Sequence, residues 1–197
     1  MKINKDVLLG GLAGFLIGLL ALPIFQNLGH GLSLASGIGM AVALALITMA
    51  GVILVGILSR FLPVLNQLAR FVVVGGLNTL VDLGVLNIFI YLSGLAGGWP
   101  YVGFKSVSFT VAVVNSYVWN KYWTFGSENK EAKEALQFFA VSVVGFLINV
   151  GTASLVVNFG HFSGLAPAAA ANISALAGTL LGLAWNFIGY KFFVFKR

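Results

Sequence analysis

Apolar residues fill six blocks of this chain, at about Val7–Phe25, Leu32–Leu58, Phe71–Leu92, Pro100–Trp119, Leu136–Phe159 and Pro167–Tyr190. Each has the length of a membrane-crossing helix, about 20 residues. Breakers separate the blocks. Pro23, Gly29–Gly31, Pro63, Gly97–Gly98 and Gly164 lie between them or at their ends, where Gly and Pro punctuate a chain. Pro100 and Pro167 suit the first turn of a helix, where the missing N–H costs nothing. The pattern predicts an all-α membrane protein with six transmembrane helices.

The polar positions inside these blocks are ordered. Gly75, Asn78 and Asp82 are spaced i, i+3, i+7, which is one helical face. In the fourth block Lys105, Ser108, Ala112, Asn115 and Ser116 share a broad face that Asn120 continues. The fifth carries Ser142, Gly145, Asn149 and Thr152, and the sixth Ser174, Gly178, Gly182 and Asn186. Four helices therefore each present a small and polar stripe. Two of these residues are charged. Asp82 is the only acidic residue between Val7 and Ser127, and Lys105 the only basic one between Arg70 and Lys121. A charge at the bilayer centre costs roughly 2.5–3.5 kcal/mol on insertion scales. Asp82 lies ~18 Å of helix beyond Arg70, and Lys105 ~9 Å beyond Trp99. In a hydrocarbon core of ~30 Å they come to nearly one height, and an ion pair between them is expected. It reads either as a structural pair among closely packed helices or as a site at which Lys105 meets a substrate phosphate and Asp82 lets go.

From Phe71 onward the pattern repeats. A shift of 67 places Phe71 on Phe138, Asp82 on Asn149, Gly84 on Gly151, Pro100 on Pro167 and Lys105 on Asn172; later a shift of 66 places Trp119–Asn120 on Trp185–Asn186. A two-helix unit returns the chain to the same side, so the copies are expected to run parallel, an arrangement found in transporters. The polar stripes occur in both copies, but only the first is charged. The expected organisation is an N-terminal hairpin over 1–66 and a four-helix domain over 67–197, with repeats at about 70–125 and 137–195.

Composition supports a membrane setting. The chain is 59% hydrophobic and 8% charged, against about 25% charged in soluble domains. Ten of the eleven Lys and Arg residues fall in alternate connections or at the ends; Lys105 is the exception. Positive residues collect on the cytoplasmic side, so both termini are expected there. The net charge of +6 is thus topological and does not point to nucleic acid. No cysteine is present, which excludes disulfides and thiolate chemistry. His30 and His161 are read as interfacial, and no metal or cofactor is expected.

Four local features remain. Lys2 and Lys5 before an apolar run resemble a signal peptide, but the run reaches Leu22 without an A-x-A cleavage pattern and is read as a retained helix. Gly10, Gly14 and Gly18 suit tight packing of the first hairpin onto the rest of the chain or onto another protomer. The polar segment Gly126–Ala135 is read as a solvated turn, with Ser127 or Asn129 capping a short helix, or as a partner-docking surface. The aromatic runs WNKYWTF (119–125) and YKFFVF (190–195) read as an interfacial belt with snorkelling lysines, or as a cytoplasmic mouth where Lys121 or Lys191 holds a phosphate head group.

RFVVVGGLNTLVDL (70–83), NSYVWNKYWTF (115–125) and QFFAVSVVGFLINVG (137–151) resemble the GtrA-like family of small bacterial membrane proteins, over about residues 68–195. Phe71, Gly75, Asn78 and Asp82 match its first-helix motif; Asn115, Asn120, Lys121, Thr124 and Phe125 match its second. The resemblance implies a four-helix protein of cell-surface polysaccharide synthesis in the bacterial inner membrane. Such a protein flips a polyprenyl-phosphate-linked sugar or scaffolds the glycosyltransferase that makes it. In the first case Lys105 compensates the phosphate, Asp82 holds Lys105 when the groove is empty, and Asn78, Asn115, Asn120, Asn149, Asn172 and Asn186 bond sugar hydroxyls. Arg70, Lys121, Trp123 and Lys191 gather the head at the cytoplasmic face. The implied partners are the sugar lipid, bulk membrane lipid, a membrane glycosyltransferase and a second copy of the chain. A cation exporter using Asp82 is disfavoured by Lys105. No nucleophile and base are paired, so no enzyme is expected.

Overall fold

The computed structural model describes residues 2–27, 31–62, 64–95, 98–128, 131–160 and 167–195. Among them the chain is all-helical: α1 (Lys2–Asn27), α2 (Leu34–Leu58), α3 (Val64–Ser93), α4 (Gly98–Trp119), α5 (Ala132–Phe159) and α6 (Pro167–Gly189). Two π-helical segments extend α4 and α6, over Asn120–Phe125 and Tyr190–Val194. By length and apolarity Lys5–Asn27, Leu34–Leu58, Val64–Ser93 and Ala132–Asn149 are able to cross a membrane, and Leu180–Val194 is a shorter apolar stretch. Large apolar side chains face outward along these helices, among them Leu46, Ile47, Leu92, Phe146 and Leu147, whereas Asp6, Ser108, Asn120 and Glu134 are buried. Apolar outside and polar inside is the distribution that a hydrocarbon solvent selects. The chain is a multi-pass membrane protein.

Most helix ends follow the breakers, with two corrections. α1 runs through Pro23, as the first apolar block does, and ends at Asn27. Proline there removes one backbone donor near the helix end, and the end is clamped: Asn27 Nδ2 donates to the backbone O and to Oδ1 of Asn87 on α3, at 2.9 and 2.8 Å. α3 begins at Val64, so Arg70 stands inside a helix rather than in a connection. The acidic segment forms no separate helix. Glu131 is the N-cap residue of α5, Ser127 Oγ donates to Glu134, and Glu134 is buried rather than solvated. His30, Asn129, Lys130 and His161 lie outside the described residues.

The chain forms two compact units, Met1–Gly126 and Ser127–Arg197. In the first, α1 packs on α2 and α3, and α4 packs on α3. Gly10, Gly14 and Gly18 do not serve the rest of the chain. They seat α1 on α2 within the hairpin, where a Cβ on Gly10 would lie 2.8 Å from Val52, one on Gly14 would meet Thr48 and Leu44, and one on Gly18 would meet Ala41. Another face of α1 meets the core: Ala13 packs with Leu77, Val81 and Ala112, bordered by Leu16, Ile17 and Leu20. In the second unit α5 and α6 pair closely. A Cβ on Gly182 would come 3.0 Å from the Gly145 carbonyl oxygen and 3.1 Å from Asn149 Cβ.

Candidate functional site

The α3–α4 seam carries the polar stripe. Ser108 on α4 is fully buried, and its hydroxyl donates to Asp82 Oδ1 at 2.7 Å. One turn along, Ala112 is 2% exposed and lets α3 approach closely. Beyond it the stripe changes character. Asn78 Oδ1 on α3 and Asn115 Nδ2 on α4 are buried without a hydrogen-bond partner. One is an acceptor and the other a donor, and each such group costs about 1–3 kcal/mol when left unmade. The Lys105 side chain, and with it the expected pair with Asp82, lies outside the described residues.

At the other end of the seam, where α1 begins, three elements are tied by one carboxylate. Asp6 is 7% exposed. Its Oδ2 accepts from Arg70 on α3 at 2.5 Å, and its Oδ1 accepts from the Trp123 indole of the first π segment at 3.1 Å. Arg70 also donates to the Trp123 carbonyl oxygen at 3.1 Å, and Gln67 to that of Thr124 at 3.5 Å. Two residues expected at a head-group mouth, Arg70 and Trp123, are thus engaged in holding α1, α3 and the π segment together. Asp6 escaped the sequence reading because it sits in a basic flank and its partners are distant in the chain. Its one signal was an acidic residue at the head of an apolar helix.

The π segment explains the rest of this end. A π turn holds one residue more than an α turn and often marks a functional position. Here Asn120, Lys121, Trp123, Thr124 and Phe125 are all buried, and Gly126 ends the segment at φ 62°, a conformation that suits glycine. Asn120 Nδ2 donates to the Ser116 carbonyl and hydroxyl oxygens at 2.9 and 3.2 Å, while its Oδ1 has no partner. Lys121 Nζ donates to the Tyr117 hydroxyl at 3.0 Å and lies over the Tyr117 and Tyr122 rings at 5.2 and 5.8 Å.

The second unit repeats this chemistry. Asn186 Oδ1, like that of Asn120, is buried without a partner, and its head lies against Gly145. Asn149 lies against Gly182 on α6. The Asn172 side chain lies outside the described residues. Phe138 is 1% exposed and stacks on Tyr190 at 4.3 Å; Ser142 and Tyr190 share a hydrogen bond of 2.7 Å; Trp185 donates to the Val141 carbonyl oxygen at 3.1 Å. Lys191 lies over Phe187 and Phe192 at 5.7 and 5.6 Å. Each lysine is therefore held by aromatics four residues before it and one after it. Lys121 directly follows Asn120, whereas Lys191 stands five residues after Asn186, so the second copy carries an extra turn that the residue spacing alone concealed.

Residues 70–195 match the family model described as GtrA/DPMS, transmembrane domain. The chain is 35% identical over 132 residues to the uncharacterized membrane protein YngA of Bacillus subtilis (strain 168), an alignment covering 66% of this chain and 80% of that protein. No solved structure matches.

Proposed function

The chain belongs to the GtrA/DPMS transmembrane-domain family, and from that premise we propose that it moves a polyprenyl-phosphate-linked sugar between the leaflets of the bacterial inner membrane. Family membership suggests a part in processes that handle polyprenyl-phosphate sugars, and members are regarded as non-catalytic. The observation that carries the finer reading is the pair of buried, partnerless polar atoms at Asn78 and Asn115. A sugar carries hydroxyls that both donate and accept, which is the chemistry these two atoms call for; a prenyl chain, which has neither function, stays in lipid. Asn120 Oδ1 and, in the second copy, Asn186 Oδ1 offer further acceptors. In this proposal Lys105 compensates the phosphate, and Asp82, already bonded to Ser108, restrains Lys105 in the empty groove. Lys121 and Lys191 each gather head groups at the cytoplasmic end of their own unit, the chain crosses six times, and both termini are cytoplasmic.

The test is reconstituted protein moving a labelled prenyl-phosphate sugar between the leaflets of a vesicle. Wild type moves the lipid, Asn115→Leu and Asn78→Leu each slow it about tenfold, the cost of one unmade hydrogen bond, and Lys105→Ala abolishes the preference for a phosphate-linked substrate. A wild-type preparation that moves nothing but binds a polyprenyl-phosphate glycosyltransferase makes the chain a scaffold instead. Equal rates in wild type and both asparagine variants remove the asparagines from the site.

A further inference from the structure

A separate polar site lies where α2 turns into α3, outside the family-matched residues. A cavity of about 270 Å³ opens there, lined by Asp6, Val52, Gly56, Ser59, Arg60 and Asn66. Its charge balance is uneven. Asp6 is already compensated, with one oxygen on Arg70 and the other on the Trp123 indole. Arg60 is exposed, and its guanidinium makes no hydrogen bond or ion pair among the described residues. The Asn66 amide at the start of α3 likewise has no side-chain bond there. Ser59 Oγ already donates to the Gly56 carbonyl oxygen, at 2.9 Å. The cavity thus offers one unbalanced cation, one amide and one hydroxyl oxygen.

Its rim is apolar. Ile57, Leu58, Phe61 and Leu62 are exposed by 50, 46, 83 and 57%. Such residues beside an arginine belong at the boundary between head groups and acyl chains, where a cationic side chain meets lipid phosphate. A free anion in water has no use for that rim; an anionic amphiphile uses both parts.

We propose that this cavity binds the phosphate head of an anionic membrane phospholipid, with Arg60 as its charge partner, Asn66 as a second donor, and the acyl chains lying on Ile57, Leu58, Phe61 and Leu62. The bound head sits beside the Asp6–Arg70–Trp123 junction and braces the hairpin against α3. The inference does not rest on the transport reading, since none of these residues lies in the α3–α4 seam.

The experiment is native mass spectrometry of the full chain in neutral detergent, titrated in separate arms with phosphatidylglycerol, phosphatidylcholine, a polyprenyl phosphate and inorganic phosphate. Phosphatidylglycerol is retained over phosphatidylcholine, Arg60→Ala weakens it about fivefold, roughly the worth of one basic residue at a membrane surface, and Arg60→Lys restores most of the loss. Among the described residues Arg60 makes no side-chain bond, so the alanine variant keeps its helix content and thermal transition in the absence of lipid. Lys133→Ala, an exposed lysine elsewhere, changes nothing. Equal retention of both phospholipids, an unchanged affinity in Arg60→Ala, stronger retention of the polyprenyl phosphate than of phosphatidylglycerol, or binding of inorganic phosphate with neither lipid each overturns the proposal. Loss of phosphatidylglycerol binding with sugar-lipid movement intact separates this site from the transport seam.

Discussion

Asp6 and Asp82 are both carboxyl groups in apolar surroundings, and each is held by other elements of the fold. Asp6 takes a full counter-charge from Arg70 and an indole donor from Trp123; Asp82 takes, among its contacts, a serine hydroxyl from the neighbouring helix. Removing one member of a paired, largely buried charge strands the other, at a cost of roughly 2–4 kcal/mol where some solvent remains. Asp6→Ala and Arg70→Ala are each expected to destabilise the chain by about that much, and the double variant by clearly less than their sum. Thermal unfolding in detergent, followed by tryptophan fluorescence, measures all three; additive losses would show that the two residues are not coupled. At this scale the sequence was only partly informative. Asp82, Asn78 and Asn115 were visible because a polar residue in an apolar helix has few explanations. Asp6 was not, because its meaning depends on Arg70 and Trp123, 64 and 117 residues away. Arg70 and Trp123 were assigned to a mouth for the same reason: surface position at a helix end is visible in a sequence, but an intramolecular partner is not.

Between helices, glycines decide how closely backbones approach, and α1 and α2 separate those that matter from those that do not. A methyl group on Gly14 meets the Thr48 side chain and the Leu44 carbonyl, whereas one on Gly51 meets nothing within 4 Å. Gly14→Ala is therefore expected to push the hairpin apart and lower the thermal transition by the equivalent of about 1–3 kcal/mol, the cost of overpacking. Gly51→Ala is expected to raise it by about 0.5–1 kcal/mol through helix propensity alone. A matching sign in the two variants would mean that the approach of α1 to α2 is not set by Gly14. In the second unit Gly145→Ala drives into the Asn186 head and is expected to slow sugar-lipid movement, while Gly151→Ala, with open space around it, leaves it unchanged. The six helices were legible from apolar length, and their ends from Gly and Pro. Pro23 falls inside both the apolar block and α1, because a proline near a helix end removes only one bond, which the Asn27–Asn87 clamp offsets. The π segments were not legible at all: one extra residue in a turn leaves the apolar pattern unchanged, and only the two lysines, each between aromatics at matching offsets, mark it in retrospect.

For the whole molecule the proposals turn on which connections face the cytoplasm, since the head-group lysines and the Arg60 cavity are meaningful only on the side where basic residues gather. The topology we propose from the basic residues has the α2–α3 and α4–α5 connections on one side and the α3–α4 connection on the other. Among the described residues four helices have the length and apolarity to cross a membrane. α4 is more polar, yet it carries Ser108 and Asn115 in the seam, so the topology we propose requires it to cross as well. The sequence contains no cysteine, which allows thiols to be placed one at a time on an unmodified background. Cysteine at Arg60 or Lys133, both exposed, is expected to react with a membrane-impermeant maleimide in inside-out vesicles and not in intact cells. Cysteine at Leu95, exposed by 48% just beyond α3, is expected to react in intact cells. Labelling of all three from one side would mean that α3 does not span. Labelling of positions 60 and 95 from opposite sides, with 95 and 133 sharing a side, would mean that α4 does not, and the α3–α4 seam would then no longer be a path between leaflets.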